Sequence, residues 1–261
     1  MMTQIIAIHS FRGGTGKSNI TANCAAILAA SGAKVAVVDT DIQSPGIHVL
    51  FGLDPNNLTY TLNDYLWGSC EIQETAVDVS HCLNGNLKNG RLYLIPSSYG
   101  IQDITRVLQE GYEVKLLNRG FRTLIKELQL DYLLIDTHPG LNEETLLSIA
   151  ICDSLLLLLR PDRQDYQGAS VTIEVARKLE VPHLYLSVNK ATSGYDMRAL
   201  KQQIEAVYNC PVLAVLPLSE EIAQLASSEL FCMRYPDHEI TDALKNIALT
   251  FKEKDHEMLA M

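Results

Sequence analysis

The sequence predicts an α/β domain in which a mostly parallel, doubly wound sheet carries helices on both faces. Strand-length apolar runs alternate with helix-period segments along the whole chain. Several of those runs are apolar at every position, as strands buried on both faces must be. A glycine-rich turn also joins the first run to the first helix, the kind of connection that leaves a strand at its carboxyl end. With 47% hydrophobic residues over 261 positions, there is enough apolar material for one continuous core.

Each element follows from local pattern. Ile5-Ile6-Ala7-Ile8 anchors a strand over 4–9, and a helix over 17–30 follows the glycine turn. Further strands are expected at 34–38, 91–95, 131–136, 154–160, 183–188 and 212–216, each rich in Val, Ile, Leu or Tyr. Helices are expected at 46–51, 61–67, 101–108, 113–129, 142–150, 167–179, 196–208, 219–227 and 240–252. The stretch 84–90, with three asparagines and two glycines, reads as a loop. Without an internal repeat, a low-complexity tract or a linker, the expectation is one domain over 1–252 and a short tail over 253–261.

The chemistry concentrates at strand ends. Gly13-Gly14-Thr15-Gly16-Lys17-Ser18 lies between a strand and a helix, the layout of a phosphate-binding loop. Glycines let backbone N–H groups turn inward, and the helix N-terminus adds partial positive charge. Lys17 can reach β- and γ-phosphates, and the Ser18 hydroxyl is placed to ligate Mg²⁺. Asp39 and Asp41 end the second strand; alone, either would read as a turn or capping aspartate. Their spacing of two is expected to put both on one side of that strand. Tyr132-Leu133-Leu134-Ile135-Asp136 is an apolar strand capped by an acid, placed to hold a metal opposite Ser18. Asn189 ends another strand, and its amide can both donate to and accept from a purine edge.

The loop departs from the common G-x-x-x-x-G-K-[ST] pattern, since Phe11 stands where the first glycine would be and Arg12 precedes the paired glycines. In this it resembles the deviant Walker A loop, K-G-G-x-x-G-K-[ST], of the MinD/ParA family of P-loop ATPases, and the resemblance runs from about residue 5 to 251. It implies a P-loop NTPase fold that binds ATP and Mg²⁺ through Gly13 to Ser18 and Asn19. It further implies that Arg12 takes the place of the family lysine that reaches a partner's nucleotide across an ATP-dependent homodimer. A guanidinium keeps the charge with a different, forked geometry. By the same resemblance Lys17, Arg12 and Asp41 are catalytic, Asp41 orienting the attacking water. Asp39 stands near Mg²⁺, and Asp136 holds it through water. Gln43 and Pro45 resemble switch I, and Thr137-His138-Pro139-Gly140 resembles switch II. Asn189 and Pro217 resemble the adenine contacts, and Ile95-Pro96-Ser97-Ser98 and Arg160-Pro161-Asp162 resemble further family segments. His138, unusual at its place, reads as an ordinary loop histidine rather than a proton-sensitive contact, and Arg163 and Asp165 read as solvated loop charges.

The implied function is a slow, partner-stimulated ATPase that switches between monomer and dimer to position or partition a cargo. Two alternatives stand beside it: a binding module that holds ATP with little turnover, and an ATP-dependent metal-insertion factor. The six cysteines, which include no C-x-x-C pair, read as reduced packing residues of a cytoplasmic protein and disfavour the last. A net charge of −10 argues against a protein that coats nucleic acid. Yet Lys115, Arg119, Arg122 and Lys126 recur at helical spacing, either as a solvated face or as one half of a non-specific DNA footprint. The longest apolar stretch is too short to cross a bilayer, and the mixed charges after residue 251 suit an anionic bilayer poorly, so stable membrane attachment is not expected.

Overall fold

A computed structural model describes residues 3–83 and 89–258. The loop expected at 84–90 therefore lies, apart from its last two residues, outside the described residues. In chain order the strands are β1 (Gln4–His9), β2 (Lys34–Asp39), β3 (Val77–Asp78), β4 (Arg91–Ile95), β5 (Tyr132–Asp136), β6 (Ser154–Leu159), β7 (His183–Ala191) and β8 (Val212–Pro217). They form one sheet in the order β3-β4-β2-β5-β1-β6-β7-β8, parallel except for the edge pair β3–β4.

The helices are α1 (Lys17–Ala30), α2 (Leu62–Leu66), α3 (Ile101–Glu110), α4 (Lys115–Leu128), α5 (Glu143–Ile151), α6 (Arg163–Lys178), α7 (Met197–Tyr208), α8 (Glu220–Leu225), α9 (Phe231–Arg234) and α10 (Glu239–Met258). Alternate residues of each central strand feed opposite faces, as the two-residue pleat requires. Ile6, Ile8, Val35, Val37, Leu134 and Leu156 pack with α1 and α10 through Leu28, Leu244 and Phe251. On the other face Ala36, Val38, Leu133 and Ile135 meet Leu117, Phe121 and Leu124 of α4. Leu157, Leu159, Leu186 and Val188 meet Ile173 of α6 and Leu200 and Ile204 of α7 on that face. Each such large apolar side chain contributes about 1.5–3 kcal/mol by leaving water.

Three differences from the sequence expectation matter for the site. The segment 46–51 is a 3₁₀ turn over Ile47–Phe51, closed by Gly52 in the left-handed region, not an α-helix. Helix α6 begins four residues before the expected 167, because the Asp162 carboxylate caps it by accepting from Gln164 and Asp165 N–H. Strand β7 continues beyond the expected 188 through an irregularity between Val188 and Ala191, which carries Asn189 and Lys190 to the sheet edge. At the other end of the chain, α10 runs on past residue 252, where the sequence expectation ends the domain. The two-residue β3, the four-residue α9 and further short 3₁₀ turns, including Pro55–Asn57, Ile72–Thr75 and Ser80–Leu83, are too brief to leave a periodic signal.

Candidate functional site

The parallel register decides what meets at the carboxyl edge of the sheet. Asp39 pairs with Asp136 across β2 and β5, and Ile8 pairs with Asp136 across β1 and β5, so both acids lie beside the exit of β1. The loop that leaves β1 carries Gly14 at φ 75 and Gly16 at φ 92. At Gly16 space as well as φ demands glycine, for a Cβ there would stand 2.4 Å from Asn189 Nδ2. Helix α1 has no acidic residue in its first turn and no side-chain cap, which leaves its N-terminal N–H groups to an anion.

Lys17 is buried and its Nζ donates to Asp136 Oδ1 at 3.0 Å, an oxygen that also accepts from Thr21 Oγ1 at 3.2 Å. The other carboxylate oxygen, Oδ2, is buried without a partner. Asp39 is fully buried; Oδ1 accepts from Asp41 N–H at 3.0 Å and Oδ2 from Gly46 N–H at 3.4 Å. Burial first, and then the nearby Asp136 charge, push the Asp39 carboxyl up to about 8, against the opposing pull of Lys17. The partnerless Asp136 oxygen and the Asp39 carboxyl beside it, two oxygen donors at the same sheet edge as the loop that carries Ser18, fit a hydrated divalent cation. Bound there, Mg²⁺ would be held by Ser18 and, through water, by Asp136 and Asp39, and would supply charge neutralisation to phosphate oxygens.

Asp41 does not share a strand face with Asp39. Strand β2 ends at Asp39, and the turn closed by the Asp41 N–H to Asp39 bond sends the Asp41 side chain toward the phosphate loop. Its Oδ1 accepts from Ser44 Oγ at 2.8 Å and lies 3.7 Å from His138 Nε2, while burial raises the carboxyl above its ordinary value. His138 Nδ1 is 2.6 Å from the Pro139 carbonyl, so this loop histidine is fixed within the segment after β5 with its other ring nitrogen toward Asp41. One step earlier, His9 is fully buried with Nδ1 2.7 Å from Thr137 Oγ1, and burial followed by Lys17 and His138 lowers it to about 3. Neither histidine contact has a signal in the sequence.

Two cavities meet over the loop. One of about 290 Å³ is lined by Gly14, Lys17, Ser18, Asp41 and Pro139. Another of about 270 Å³ is mainly apolar, with Leu216, Pro217, Ile222 and Leu244 beside Asn189 and Lys190. They share Gly16, Asn19 and Ser227, so a polar end suited to phosphates opens into an apolar end suited to a flat base. The structure thus brings together Gly13 to Asn19, Asp39, Asp41, Asp136, Asn189 and Pro217, all expected from sequence. It also shows that Asn189 is partly committed: Nδ2 donates to the Thr15 carbonyl at 2.7 Å, and Oδ1 accepts from Lys190 N–H at 2.9 Å.

Arg12 stands at the mouth of the loop, and its guanidinium is 3.7 Å from both Asp162 and Asp165 of its own chain. Asp165 is not a solvated loop charge. It is buried and grips Arg160 through Nε at 2.9 Å and NH2 at 3.1 Å. Burial alone would raise its carboxyl, but the hydrogen bonds and charge of Arg160 hold it below the ordinary range. Arg163 is exposed in the first turn of α6, as a solvated charge. Far from this site, Lys115, Arg119 and Arg122 of α4 converge with Asn118 and Leu147 on a shallow cleft, whereas Lys126 leans toward Glu127 at 3.9 Å. All six cysteines are free, and among the described residues no three His, Cys, Asp or Glu side chains are grouped to hold a metal. No helix among the described residues is long and apolar enough to cross a membrane.

A family model described as an AAA domain matches residues 3–184. The septum site-determining protein MinD of Thermotoga maritima is 26% identical over 95% of this chain and 87% of its own length. An iron-sulfur cluster carrier protein of Methanocaldococcus jannaschii is 31% identical over 68% of this chain and 56% of its own. The structure superposes on MinD of Pyrococcus horikoshii, solved with Mg-ADP, with a TM-score of 0.79 at 22% identity, covering 95% of both chains. Matched by the AAA-domain family and built around a phosphate loop with two acids at its back, the chain belongs to the MinD/ParA family of P-loop ATPases.

Proposed function

We propose that the protein is an ATP-hydrolysing switch that dimerises on Mg·ATP and releases on hydrolysis. The observation that supports this most is the joining of a preformed phosphate loop to Asp41, one side chain that can face an attacking water at the open end of the phosphate cavity. The Lys17–Asp136 pair is the resting arrangement, in which the ammonium is held ready by a buried carboxylate until phosphate replaces it. Catalysis by such a site is positioning and electrostatics, with Lys17 on the phosphates, Asp41 orienting water and Mg²⁺ neutralising charge. The Mg-ADP held by the Pyrococcus horikoshii relative supports the same ligand here. Arg12 would leave Asp162 and Asp165 to reach the partner's phosphates, and a slow rate awaiting a stimulating protein suits a timing device.

The output would be placement of a cargo inside the cell, as the septum-site role in the names of MinD relatives suggests. Lys115, Arg119 and Arg122, doubled in a dimer, would offer a non-specific DNA surface whose binding falls steeply with salt. DNA retention that is unchanged by salt, or absent at low salt, would remove that part of the proposal. Stable membrane attachment has no place in it.

Sedimentation of Asp41→Ala with Mg·ADP and with Mg·ATP tests the switch, beside the same variant carrying Arg12→Ala. A dimer only with ATP, lost with Arg12, is the expected result; a monomer in both would leave an ATP-holding binding module. A second reading, metal insertion, is favoured by the iron-sulfur carrier relative. Against it, burial pushes the Cys152 and Cys232 thiols up to about 12, which disfavours the thiolates that metals need. Metal analysis of anaerobically purified protein separates the two.

A further inference from the structure

Lys190 follows Asn189, which lines the apolar cavity, and has no role in the reading above. Its backbone sits at φ 59, in the left-handed region that a lysine seldom adopts, at the point where β7 loses register with β8. A residue held there is kept by something its surroundings supply. Its N–H donates to Asn189 Oδ1 at 2.9 Å, and at the other end of the exposed side chain Nζ donates to the carbonyl of Gly14 at 2.7 Å, across 176 residues of sequence. Asn189 Nδ2 makes the matching bond to the next carbonyl, Thr15 O, also at 2.7 Å. Two successive strand-end residues thus hold two successive carbonyls on the outer rim of the phosphate loop.

The consequence follows from peptide geometry. A loop that binds phosphate must turn its N–H groups inward and therefore its carbonyls outward. With glycine at 14 and 16, both at positive φ, the free loop has many other conformations to visit, and ordering it on binding would cost affinity. Tethering the outer carbonyls removes much of that freedom before the ligand arrives. We propose that Lys190 is a positioning residue for nucleotide binding, whose ammonium clamps the Gly14 carbonyl and presets the phosphate loop. This rests on the nucleotide-binding reading given above. The recognised chemistry is the polyphosphate, because the clamp acts on the loop and not on the base; Lys190 also lines the apolar cavity, as a separate and secondary contact.

Titration calorimetry of the full chain tests it, with Mg·ADP and Mg·tripolyphosphate as probes, for wild type, Lys190→Gly and Lys190→Arg. Glycine removes the ammonium and suits the backbone, so Lys190→Gly should melt no lower than wild type. It should bind both probes several-fold more weakly, the weight of a solvent-exposed charge-assisted hydrogen bond. The loss should persist between about 0.1 and about 0.5 M salt, because a direct contact is screened less than a distant charge. Lys190→Arg should recover most of it. Equal affinity in Lys190→Gly, a loss that vanishes at high salt, or a loss confined to Mg·ADP would each overturn the clamp. A wild type that binds neither probe would overturn the nucleotide reading itself, and is recognised without any variant.

Discussion

Asp39 and His9 are buried side chains whose protons are set in opposite senses, and together they shape how stability responds to pH. Asp39 keeps its proton up to about 8 in the fold and loses it near 4 when unfolded. The unfolded chain therefore binds fewer protons between those values, and stability falls with rising pH by about 1.4 kcal/mol per unit. His9 stays neutral down to about 3 in the fold but gains a proton near 6.5 when unfolded, so its contribution is lost as pH falls through that range. The two slopes oppose each other between about 4 and 6.5, and above that range the Asp39 slope continues up to about 8, in the same sense as that of the raised Asp41 carboxyl. Urea unfolding of the nucleotide-free protein should show that decline, and Asp39→Asn should reduce it while weakening Mg²⁺ binding. A pH-independent difference between the two proteins would show that Asp39 is ionised in the fold. Mg·nucleotide binding near neutral pH should also release a proton from Asp39, visible as calorimetric heats that vary with the buffer's ionisation enthalpy. At this scale Lys17 and Asp136 were legible because their types and local spacing imply chemistry, whereas Asp41 was legible only through the family resemblance, since the spacing of two put it on the wrong side. Lys190 and His138 were not, because their partners are contributed by other strands.

At the scale of elements, the start of the phosphate loop leans on α6. A Cβ on Gly168 would lie 2.3 Å from the Phe11 ring and 2.6 Å from Phe11 Cβ, so the whole residue would have to move. Gly168→Ala should cost about 1–3 kcal/mol in urea unfolding as an overpacked contact. Because Arg12 is next in the chain, it should also weaken the proposed ATP-dependent dimer; an unchanged dimer would detach Phe11 from the placement of Arg12. On the opposite face Phe251 of α10 is fully buried with α1 and the sheet, and Phe251→Ala should cost about 3–5 kcal/mol. The long elements were legible from periodicity, and β1, α1 and β4 coincide with their expected limits. Errors gathered where a cap or a bulge, rather than a period, sets the boundary: Asp162 at α6, and the β7 irregularity that carries Asn189 and Lys190.

At the scale of the molecule, the proposed function links nucleotide, metal and fold. Mg·ADP at about a hundredfold above its Kd should stabilise the protein by about 2.7 kcal/mol, read as a rise in melting temperature. With Asp41→Ala and Mg·ATP the rise should also grow with protein concentration, since a dimer binds its second copy as a ligand. A rise independent of concentration would describe a monomeric nucleotide binder. The amino-acid sequence by itself determined the alternation of strands and helices, the phosphate loop and the acids at strand ends. Those are short-range properties, set by side-chain period, by glycine at positive φ and by residue type. Tertiary structure alone decided the meetings: Lys17 with Asp136 across 119 residues, Asp39 beside Asp136, Arg12 held by Asp162 and Asp165, and Lys190 on Gly14. Parallel strands are joined by long crossovers, so neighbours at one sheet edge are distant in sequence, and only register and packing bring them into contact.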